Sequence, residues 1–378
     1  MVTKHIIRYP HDLNQYCQPG KVLVVYGARQ VGKTTLVNQY LQQTNLRYKL
    51  DSGDNIFLQN QLEKADFQTI QAYLEGYELI IIDEAQMIPN IGQCLKIMVD
   101  QNPQLRIIVT GSSTFDLAGQ VGEPLTGRKR ILTLYPIAQL ELRQIHNTFE
   151  IKQNLKDYLI YGSYPEVITA NTYENKRDII TEITQSYLFK DILALERIKN
   201  SRSLQQLLTL LALQLGDEVS HHELGQKIGL DNKTIARYLD LLEKTFVIYS
   251  LSGFSRNLRN EITKKRKYYF YDNGIRNALI ANFSSLDKRN DIGALWENFI
   301  IGERLKRQSY LNQYANYYFW RTWSQQEIDL IEEHDGQLFA YEFKWQAQNE
   351  SAPKAWREAY PNSAFNIIDS NNYLAFVT

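Results

Sequence analysis

The sequence predicts a multidomain α/β protein whose first domain is built on a parallel β-sheet. Three apolar runs, at residues 22–25, 79–82 and 105–109, are followed by glycine, hydroxyl or carboxylate residues, as buried parallel strands are at their carboxyl ends. The first run leads through a glycine-containing loop into a helix. With 378 residues the chain is long for a single core, so we expect two or three domains.

The loop after the first strand matches the phosphate-binding pattern G-x-x-x-x-G-K-[ST]. Its glycines let backbone N–H groups close around phosphate oxygens, its lysine can reach the β- and γ-phosphates, and its threonine hydroxyl can bind Mg²⁺. The sequence therefore predicts that this loop binds a nucleoside triphosphate with Mg²⁺. The residues expected to hold it are Gly27, Ala28, Arg29, Gln30, Val31, Gly32, Lys33, Thr34 and Thr35.

Two adjacent carboxylates, Asp83 and Glu84, end the next apolar run. In open parallel sheets, sites lie at the carboxyl ends of the strands. Asp83 is expected to support the Mg²⁺ ion together with Thr34, and Glu84 to orient or deprotonate the attacking water. The alternative is that both carboxylates are simply solvated at the end of a strand.

The third apolar run ends in Thr110-Gly111-Ser112-Ser113. A hydroxyl at this position, beside the strand of Asp83, could respond to the γ-phosphate; Ser112 is the predicted residue, and Thr110 stays open as an alternative. Arg128 follows on a glycine-bearing loop, where an arginine suits a charge-neutralising finger that acts in cis or on a neighbouring subunit. The alternative role for Arg128 is to anchor that loop to a carboxylate.

The segments GARQVGKT, LIIIDEAQ, VTGSS and LTGRKRILTLYPI, with YGSYPE at Tyr161–Glu166, resemble the AAA-type P-loop ATPases of a large prokaryotic family. In that family the ATPase domain is joined to a C-terminal domain of unknown function, type 4143. The resemblance implies that the nucleotide is ATP and that it is hydrolysed, with Asp83 and Glu84 in the roles given above. It implies no particular cellular task.

The composition limits the partners of the chain. Lys plus Arg equals Asp plus Glu at 42 each, so binding to nucleic acid requires a local basic patch. Cys17 and Cys94 provide neither a disulfide framework nor metal-ligand spacing. We find no apolar run long enough to cross a membrane and no signal-peptide core at the start, so the sequence predicts a cytoplasmic protein with no membrane partner.

The sequence pattern in the middle of the chain predicts a helical connector followed by a winged-helix domain. Two helices, His221–Ile228 and a second from about Asp231 to Lys244, flank a turn at Gly229 in the helix-turn-helix layout. Strands at Val247–Leu251 and Tyr268–Tyr271 would form the wing.

This region is also basic, with eleven basic and five acidic residues between Gln226 and Asn277 in an otherwise neutral chain. A wing carrying Lys264–Lys267 suits contacts with the phosphates of duplex DNA, whose affinity would fall steeply with salt. Winged helices also dock proteins, and basic runs are often simply solvated, so both alternatives stay open.

The C-terminal part contains a helix from Gly293 to Leu305 with Glu297 beside its apolar stripe, and a hairpin with its turn at Asp335-Gly336. That turn places His334 opposite Gln337, and extending the register outward places Asp329 opposite Glu342 and Glu327 opposite Lys344. These four would share one face, and Ile328, Leu330, Phe339, Tyr341 and Phe343 the other. Opposed carboxylates are destabilising unless a cation lies between them, and a divalent cation would fit.

The pattern Glu297, Asp329 and Glu342-x-Lys344 resembles the core of the PD-(D/E)XK nucleases. By that resemblance Asp329 and Glu342 would hold Mg²⁺, Lys344 would position or activate the attacking water, and Glu297 would assist from its helix. The alternative is a surface hairpin with a Glu327–Lys344 salt bridge and no cleavage.

Taken together, the sequence predicts an ATPase domain at 1–145, a helical connector at 146–202, a winged-helix domain at 203–277 and a restriction-endonuclease-like α/β domain at 278–378. The predicted function is ATP hydrolysis that controls how the C-terminal region engages nucleic acid. A DNA-binding ATPase with an inactive nuclease-like domain is the first alternative, and an ATP-dependent protein-interaction module is the second. Self-association of the chain stays open.

Overall fold

The computed structural model describes residues 6, 8–10, 12–112, 125–186, 201–255, 266–347 and 350–378. The chain forms two compact units. The first, here called the amino-terminal unit, comprises Arg8–Tyr135 and Lys244–Phe246. The second, here called the carboxy-terminal unit, comprises Met1–Ile7, Pro136–Glu243 and Val247–Thr378.

The amino-terminal unit contains a five-stranded, fully parallel sheet in the order β2-β3-β4-β1-β5. Its strands are β1 (Lys21–Tyr26), β2 (Tyr48–Ser52), β3 (Leu79–Asp83), β4 (Arg106–Gly111) and β5 (Lys129–Thr133). Its helices are α1 (Lys33–Leu41), α2 (Ile56–Leu62), α3 (Phe67–Leu74) and α4 (Ile91–Gln101). The three predicted apolar strands are present as β1, β3 and β4, with bounds shifted by one or two residues, and α1 follows the phosphate loop as predicted.

The three central strands carry the core of this unit. The apolar residues of β1, β3 and β4 are buried because strands in the middle of a parallel sheet are covered on both faces. The chain leaves β1, builds β2, β3 and β4 on one side of it, and then adds β5 on its other side. β1 therefore lies at the point where the strand order reverses, where ligands of open α/β sheets bind.

In the described part of the carboxy-terminal unit, six helices precede a mixed α/β part. Its helices are α5 (Gln139–Leu142), α6 (Thr148–Gln153), α7 (Leu155–Tyr161), α8 (Pro165–Thr169), α9 (Tyr173–Ser186), α10 (Ser201–Leu213), α11 (His221–Ile228), α12 (Asn232–Lys244), α13 (Asn273–Leu279), α14 (Ile292–Tyr310), α15 (Lys354–Ala359) and α16 (Tyr373–Val377). Its strands are β6 (Glu218–Val219), β7 (Ile248–Gly253), β8 (Arg266–Phe270), β9 (Asn316–Arg321), β10 (Glu327–His334), β11 (Gln337–Phe343) and β12 (Ala364–Ile368).

These seven strands form one sheet in the order β12-β11-β10-β9-β7-β8-β6. Helices α11 and α12 and the antiparallel pair β7–β8 lie where the sequence predicted two helices and two strands. However, β7 also pairs with β9. The predicted boundary between residues 277 and 278 therefore separates elements that share a sheet, because the β7–β9 pairing crosses it.

The predicted register of the β10–β11 hairpin occurs in the structure, from His334↔Gln337 to Leu330↔Tyr341. The predicted division of its side chains between two faces is wrong at Ile328. A register irregularity between Ile328 and Ile331 places Ile328 in a core cluster with Leu338 and Ala340. Alternation alone could not reveal this, because a bulge shifts the side chains that precede it to the other face.

Both cysteines, Cys17 and Cys94, are buried free thiols. Within the described ranges, we find no helix whose length and apolar character would let it cross a bilayer.

Candidate functional site

The phosphate-binding loop connects β1 to α1 in the amino-terminal unit. A Cβ at Gly27 would lie 2.1 Å from the carbonyl oxygen of Leu134, so only glycine fits this close approach of two backbones. Lys33 begins α1 and is 5% exposed. Its ammonium donates to the carbonyl oxygens of Gly27 at 2.9 Å and Ala28 at 3.0 Å. The loop backbone and the Lys33 ammonium therefore form one small polar cradle.

Arg8 is a residue at this loop that sequence reasoning missed. Its buried guanidinium donates to the carbonyl oxygen of Val31, inside the loop, and to that of Tyr135 at 2.6 Å. Arg8 thereby fixes the loop to the segment after β5. Since the contacts join residues more than twenty positions apart, no local pattern could have shown them.

The start of α1 and the carboxyl ends of β3 and β4 come together at Asp83. One carboxylate oxygen of Asp83 accepts a hydrogen bond from Thr34 Oγ1 at 2.8 Å, and the other accepts one from Thr110 Oγ1. A hydroxyl and a carboxylate beside a lysine cradle are the donor set that a triphosphate-bound Mg²⁺ ion uses, with the remaining positions filled by phosphate oxygens and waters. The residues present therefore fit ATP with Mg²⁺.

Glu84 follows Asp83 in the left-handed backbone region, with φ of 50°. A non-glycine residue in that region is strained, and such strain is concentrated at functional sites. The side chain of Glu84 accepts a hydrogen bond from Gln86 Nε2, which also lies 3.3 Å from Ser112 Oγ. The backbone N–H of Glu84 donates to Thr110 Oγ1 at 3.1 Å.

These contacts distinguish the two candidate hydroxyls, those of Thr110 and Ser112. Thr110 touches Asp83 and Glu84 directly, whereas Ser112 reaches Glu84 only through Gln86. Sequence reasoning missed Gln86, although it stands in the same DEAQ segment as the two carboxylates.

Arg128 lies at the amino ends of the strands, whereas the phosphate loop lies at their carboxyl ends. Its carbonyl oxygen accepts from Val22 N, at the amino end of β1, whereas the loop follows the carboxyl end of that strand. Its Nε pairs with Asp100 Oδ1 at 2.5 Å. A six-residue strand is about 20 Å long. The prediction that Arg128 reaches the nucleotide of its own chain is therefore wrong, because a side chain cannot span that length; a role on a neighbouring subunit stays a prediction.

The predicted basic surface is smaller than the sequence indicated. Lys267 and Arg276 are buried at 2% and 3% exposure, and Arg276 pairs with Asp291. The prediction that Lys267 contacts DNA phosphate is wrong, because its ammonium points into the carboxy-terminal unit. Of the other basic residues counted, Arg256, Arg259, Lys264 and Lys265 lie outside the described residues, and five are exposed: Lys227, Lys233, Arg237, Lys244 and Arg266.

The predicted C-terminal carboxylates do come together, around Lys267. The Lys267 ammonium lies 3.6 Å from Glu297 Oε1 and is hydrogen-bonded to Glu327. Burial alone would lower the pKa of Lys267, but Glu297 and Glu327 raise it. Burial raises the pKa of Asp329 well above its usual range, and the neighbouring carboxylates Glu297 and Glu342 raise it further.

The expected divalent site does not fit this arrangement. Asp329 Oδ2 accepts from Phe343 N at 2.7 Å, and Glu342 pairs with Lys344 at 2.9 Å. Among the described residues, no group of three or more His, Cys, Asp or Glu side chains has the geometry to hold a metal ion. The predicted alternative, a Glu327–Lys344 salt bridge, is also wrong, because Glu327 pairs with Lys267 and Arg321.

A second buried polar cluster in the same unit was not predicted. Asp272 Oδ2 accepts hydrogen bonds from the backbone N–H of Ser163 at 2.7 Å and from its hydroxyl at 3.2 Å. Lys306 pairs with Glu303 at 2.7 Å, and both are buried. Burial raises the pKa of Asp272, while the Lys306 charge opposes this shift. The YGSYPE segment, which contains Ser163, was the sequence signal that could have drawn attention to this cluster.

The fold and these contacts define the class of protein. Residues 19–143 match the AAA domain family, so the chain carries an AAA-type ATPase domain at its amino end, and this match supports ATP binding and hydrolysis. Residues 152–286 match a domain of unknown function, DUF8612, and residues 292–374 match a second one, DUF4143. The ATPase domain and the C-terminal domain of type 4143 that the sequence predicted are therefore both present.

Related proteins occur in bacteria and archaea. An uncharacterized protein of Mycobacterium tuberculosis is 27% identical over 326 residues, covering 85% of this chain and 70% of the relative. Uncharacterized proteins of Haemophilus influenzae and Methanocaldococcus jannaschii are 25% and 23% identical, covering 79% and 83% of this chain and 78% and 72% of the relatives.

Among solved structures, a signal transduction ATPase with numerous domains and a tetratricopeptide repeat sensor, from Pyrococcus horikoshii, is similar at 14% identity and a TM-score of 0.27. The match covers 78% of this chain and 46% of that one, less than half its length.

Proposed function

We propose that the amino-terminal unit hydrolyses ATP with Asp83 and Glu84 as the central pair. The observation that carries this proposal is the 2.8 Å hydrogen bond between Thr34 Oγ1 and Asp83 Oδ2, beside the loop that contains Lys33. Mg²⁺, when bound with ATP, neutralises charge that develops on the phosphates. Lys33 binds the outer phosphates, and the Thr34–Asp83 pair orients the groups that hold the ion.

Glu84 is proposed to accept the proton of the attacking water or to orient that water. Its carboxylate is held by Gln86, and its backbone by Thr110. We therefore assign Thr110 and Gln86 as positioning residues, with Ser112 acting on Glu84 through Gln86. General-base catalysis contributes about 10² to 10⁴ in rate, so loss of Glu84 should lower turnover by at least about 100-fold.

Two substitutions test this proposal. Lys33→Ala should abolish ATP binding, because the cradle loses its cation, whereas Glu84→Gln should bind ATP with Mg²⁺ but lose at least about 100-fold in turnover. Isothermal titration calorimetry measures the first effect and phosphate release the second. Lys64→Ala, at an exposed lysine of the same unit, is the matched control and should behave as wild type. Normal hydrolysis by Glu84→Gln would remove Glu84 from this role.

A second proposal concerns nucleic acid and rests on α12. Asn232, Lys233, Ala236 and Arg237 form an exposed face at helical spacing near its start, opposite the buried Ile235 and Leu239. Helix-turn-helix proteins place the amino-terminal residues of this second helix in the major groove. We therefore propose that this face contacts duplex DNA and that the nucleotide state of the ATPase controls the contact.

Salt dependence distinguishes DNA binding from docking of an acidic protein. Gel shifts with a short duplex at 50 and 200 mM salt should show a steep log-linear loss of affinity, and Lys233→Ala should lower the slope by about one. Lys156→Ala, at an exposed lysine outside the helix-turn-helix, is the control. Affinity that does not change with salt would favour the protein-docking alternative. Cleavage of the DNA is not part of this proposal, because the C-terminal carboxylates do not fit a metal site.

A further inference from the structure

The C-terminal carboxylate cluster, defined here as Glu297, Glu327, Asp329 and Glu342, lies where the sequence pattern calls for a divalent cation. We infer that the ammonium of Lys267, which pairs with Glu297 and Glu327, neutralises this cluster in place of a divalent cation, so that the cluster is held together by a cation of the chain itself. This inference is independent of the proposed ATPase function, because every residue involved belongs to the carboxy-terminal unit.

The position of Lys267 on β8 is the first support. Lys267 and Tyr269 are two residues apart on this strand, so their side chains lie on the same face, and both contact Glu297 on α14. The Tyr269 hydroxyl donates to Glu297 Oε1 at 2.6 Å, and the Lys267 ammonium lies 3.6 Å from the same oxygen. Lys267 also reaches Glu327 on β10. One buried ammonium thus joins a helix and a strand that would otherwise present two carboxylates to each other.

The remaining two carboxylates also have donors from the chain. The backbone N–H of Phe343 donates to Asp329, and the Lys344 ammonium donates to Glu342. Mg²⁺ requires near-octahedral coordination by oxygens at about 2.1 Å. An ion at the position of the Lys267 ammonium would have to displace that ammonium from its ion pairs, and Lys267 is 2% exposed.

The cost of burying a carboxylate explains why this cluster needs a cation such as the Lys267 ammonium. A buried carboxylate without a cation is costly, and removal of one partner of a buried ion pair is strongly destabilising. Lys267 therefore stabilises this unit, and it ties strand β8 of the predicted winged helix to helix α14 and strand β10 of the C-terminal part. A metal-independent cluster of this kind provides structure rather than cleavage.

The test compares Mn²⁺ binding and thermal stability in the full-length protein without nucleotide. Mn²⁺ is titrated into wild type and Asp329→Asn, with bound ion measured by electron paramagnetic resonance. We expect both proteins to bind the same amount of Mn²⁺. Binding to wild type that Asp329→Asn abolishes would show that the ion and Lys267 coexist, and would overturn the inference. This comparison requires no change at Lys267 and decides the question alone.

A second experiment removes the ammonium. Lys267→Met should lower the Tm by about 5 °C or more, and millimolar Mn²⁺ should restore part of that loss. The double variant Lys267→Met/Asp329→Asn should show no restoration by Mn²⁺, since one ligand is gone. Lys267→Arg, which keeps the charge, should lose less Tm than Lys267→Met. An unchanged Tm in Lys267→Met would also overturn the inference.

Discussion

The hydroxyl of Thr110 donates a hydrogen bond to Asp83 and accepts one from the backbone N–H of Glu84. One buried hydroxyl on β4 therefore connects the carboxylate of Asp83 to the backbone of Glu84 at the end of β3. A residue on a neighbouring strand thus fixes the side chain of Asp83 and the backbone of Glu84, the two residues of the proposed catalytic pair.

The first prediction concerns Thr110→Val, which keeps the shape of the side chain and removes both hydrogen bonds. We expect turnover to fall about 10-fold, with ATP affinity changed only slightly, because each lost hydrogen bond costs about 1 kcal/mol and the pair is misplaced. Phosphate-release kinetics and calorimetry measure the two quantities. Ser112→Ala should have the smaller effect on turnover, and a larger effect than Thr110→Val would reverse the assignment.

The second prediction tests a role for Arg128 on a neighbouring subunit. Arg128→Ala and Lys33→Ala should each be inactive alone, whereas a mixture should recover part of the ATPase activity, because an intact arginine can then meet an intact phosphate loop. Arg130→Ala, at an exposed arginine of β5 two residues after Arg128, should keep its turnover. If Arg128→Ala alone hydrolyses ATP normally, the ion pair with Asp100 is the whole role of Arg128.

The third prediction concerns the Ser163–Asp272 cluster. A Cβ at Gly162 would lie 1.9 Å from Asp272 Oδ1, and Gly162 has φ of 81°. Gly162→Ala should therefore destabilise the carboxy-terminal unit by about 3 kcal/mol or more, from strain and a displaced buried carboxylate.

The matched control for Gly162→Ala is Gly229→Ala, whose φ is 77° and whose Cβ would meet nothing within 4 Å. It should cost only the backbone strain, about 1 kcal/mol. Urea denaturation measures both variants. Equal losses at the two positions would show that the close approach to Asp272 contributes nothing.

The fourth prediction concerns pH. Burial raises the pKa of Asp291, but the hydrogen bonds from Arg289 and Arg276 lower it to about 2. Because the folded pKa lies below the unfolded value of about 3.9, this carboxylate stabilises the fold above pH 4 and loses that effect as the pH falls toward 2. The loss should be about 1 to 2 kcal/mol after allowance for partial exposure.

Asp291→Asn tests this expectation. The variant should be less stable than wild type at pH 5, and the difference should shrink as the pH approaches 2.5, as measured by urea denaturation. Asp178→Asn, at an exposed aspartate of the same unit, serves as the control and should follow wild type. A constant difference between Asp291→Asn and wild type across this range would contradict the assignment.

Much of the fold was accessible from the sequence because its signals are local. The phosphate loop, the apolar strands before it and before Asp83, and the hairpin turn at Asp335-Gly336 depend on residues a few positions apart, and the structure has each where it was predicted. The wrong prediction for Ile328 shows the limit of local patterns. A bulge in the pairing of β10 with β9 moves the Ile328 side chain to the other face, and the sequence of β10 does not indicate it.

The sequence by itself determined the phosphate loop, the residues on it, the apolar strands beside it and the hairpin turn at Asp335-Gly336, since backbone propensity, hydrophobic period and turn chemistry act between near neighbours. Only the tertiary structure decided that Arg8 holds the loop, that Arg128 lies a strand length away from it, and that Lys267 points inward to Glu297 and Glu327. The physical reason is that charge pairing and burial depend on distance in space, and these partners are far apart in the chain.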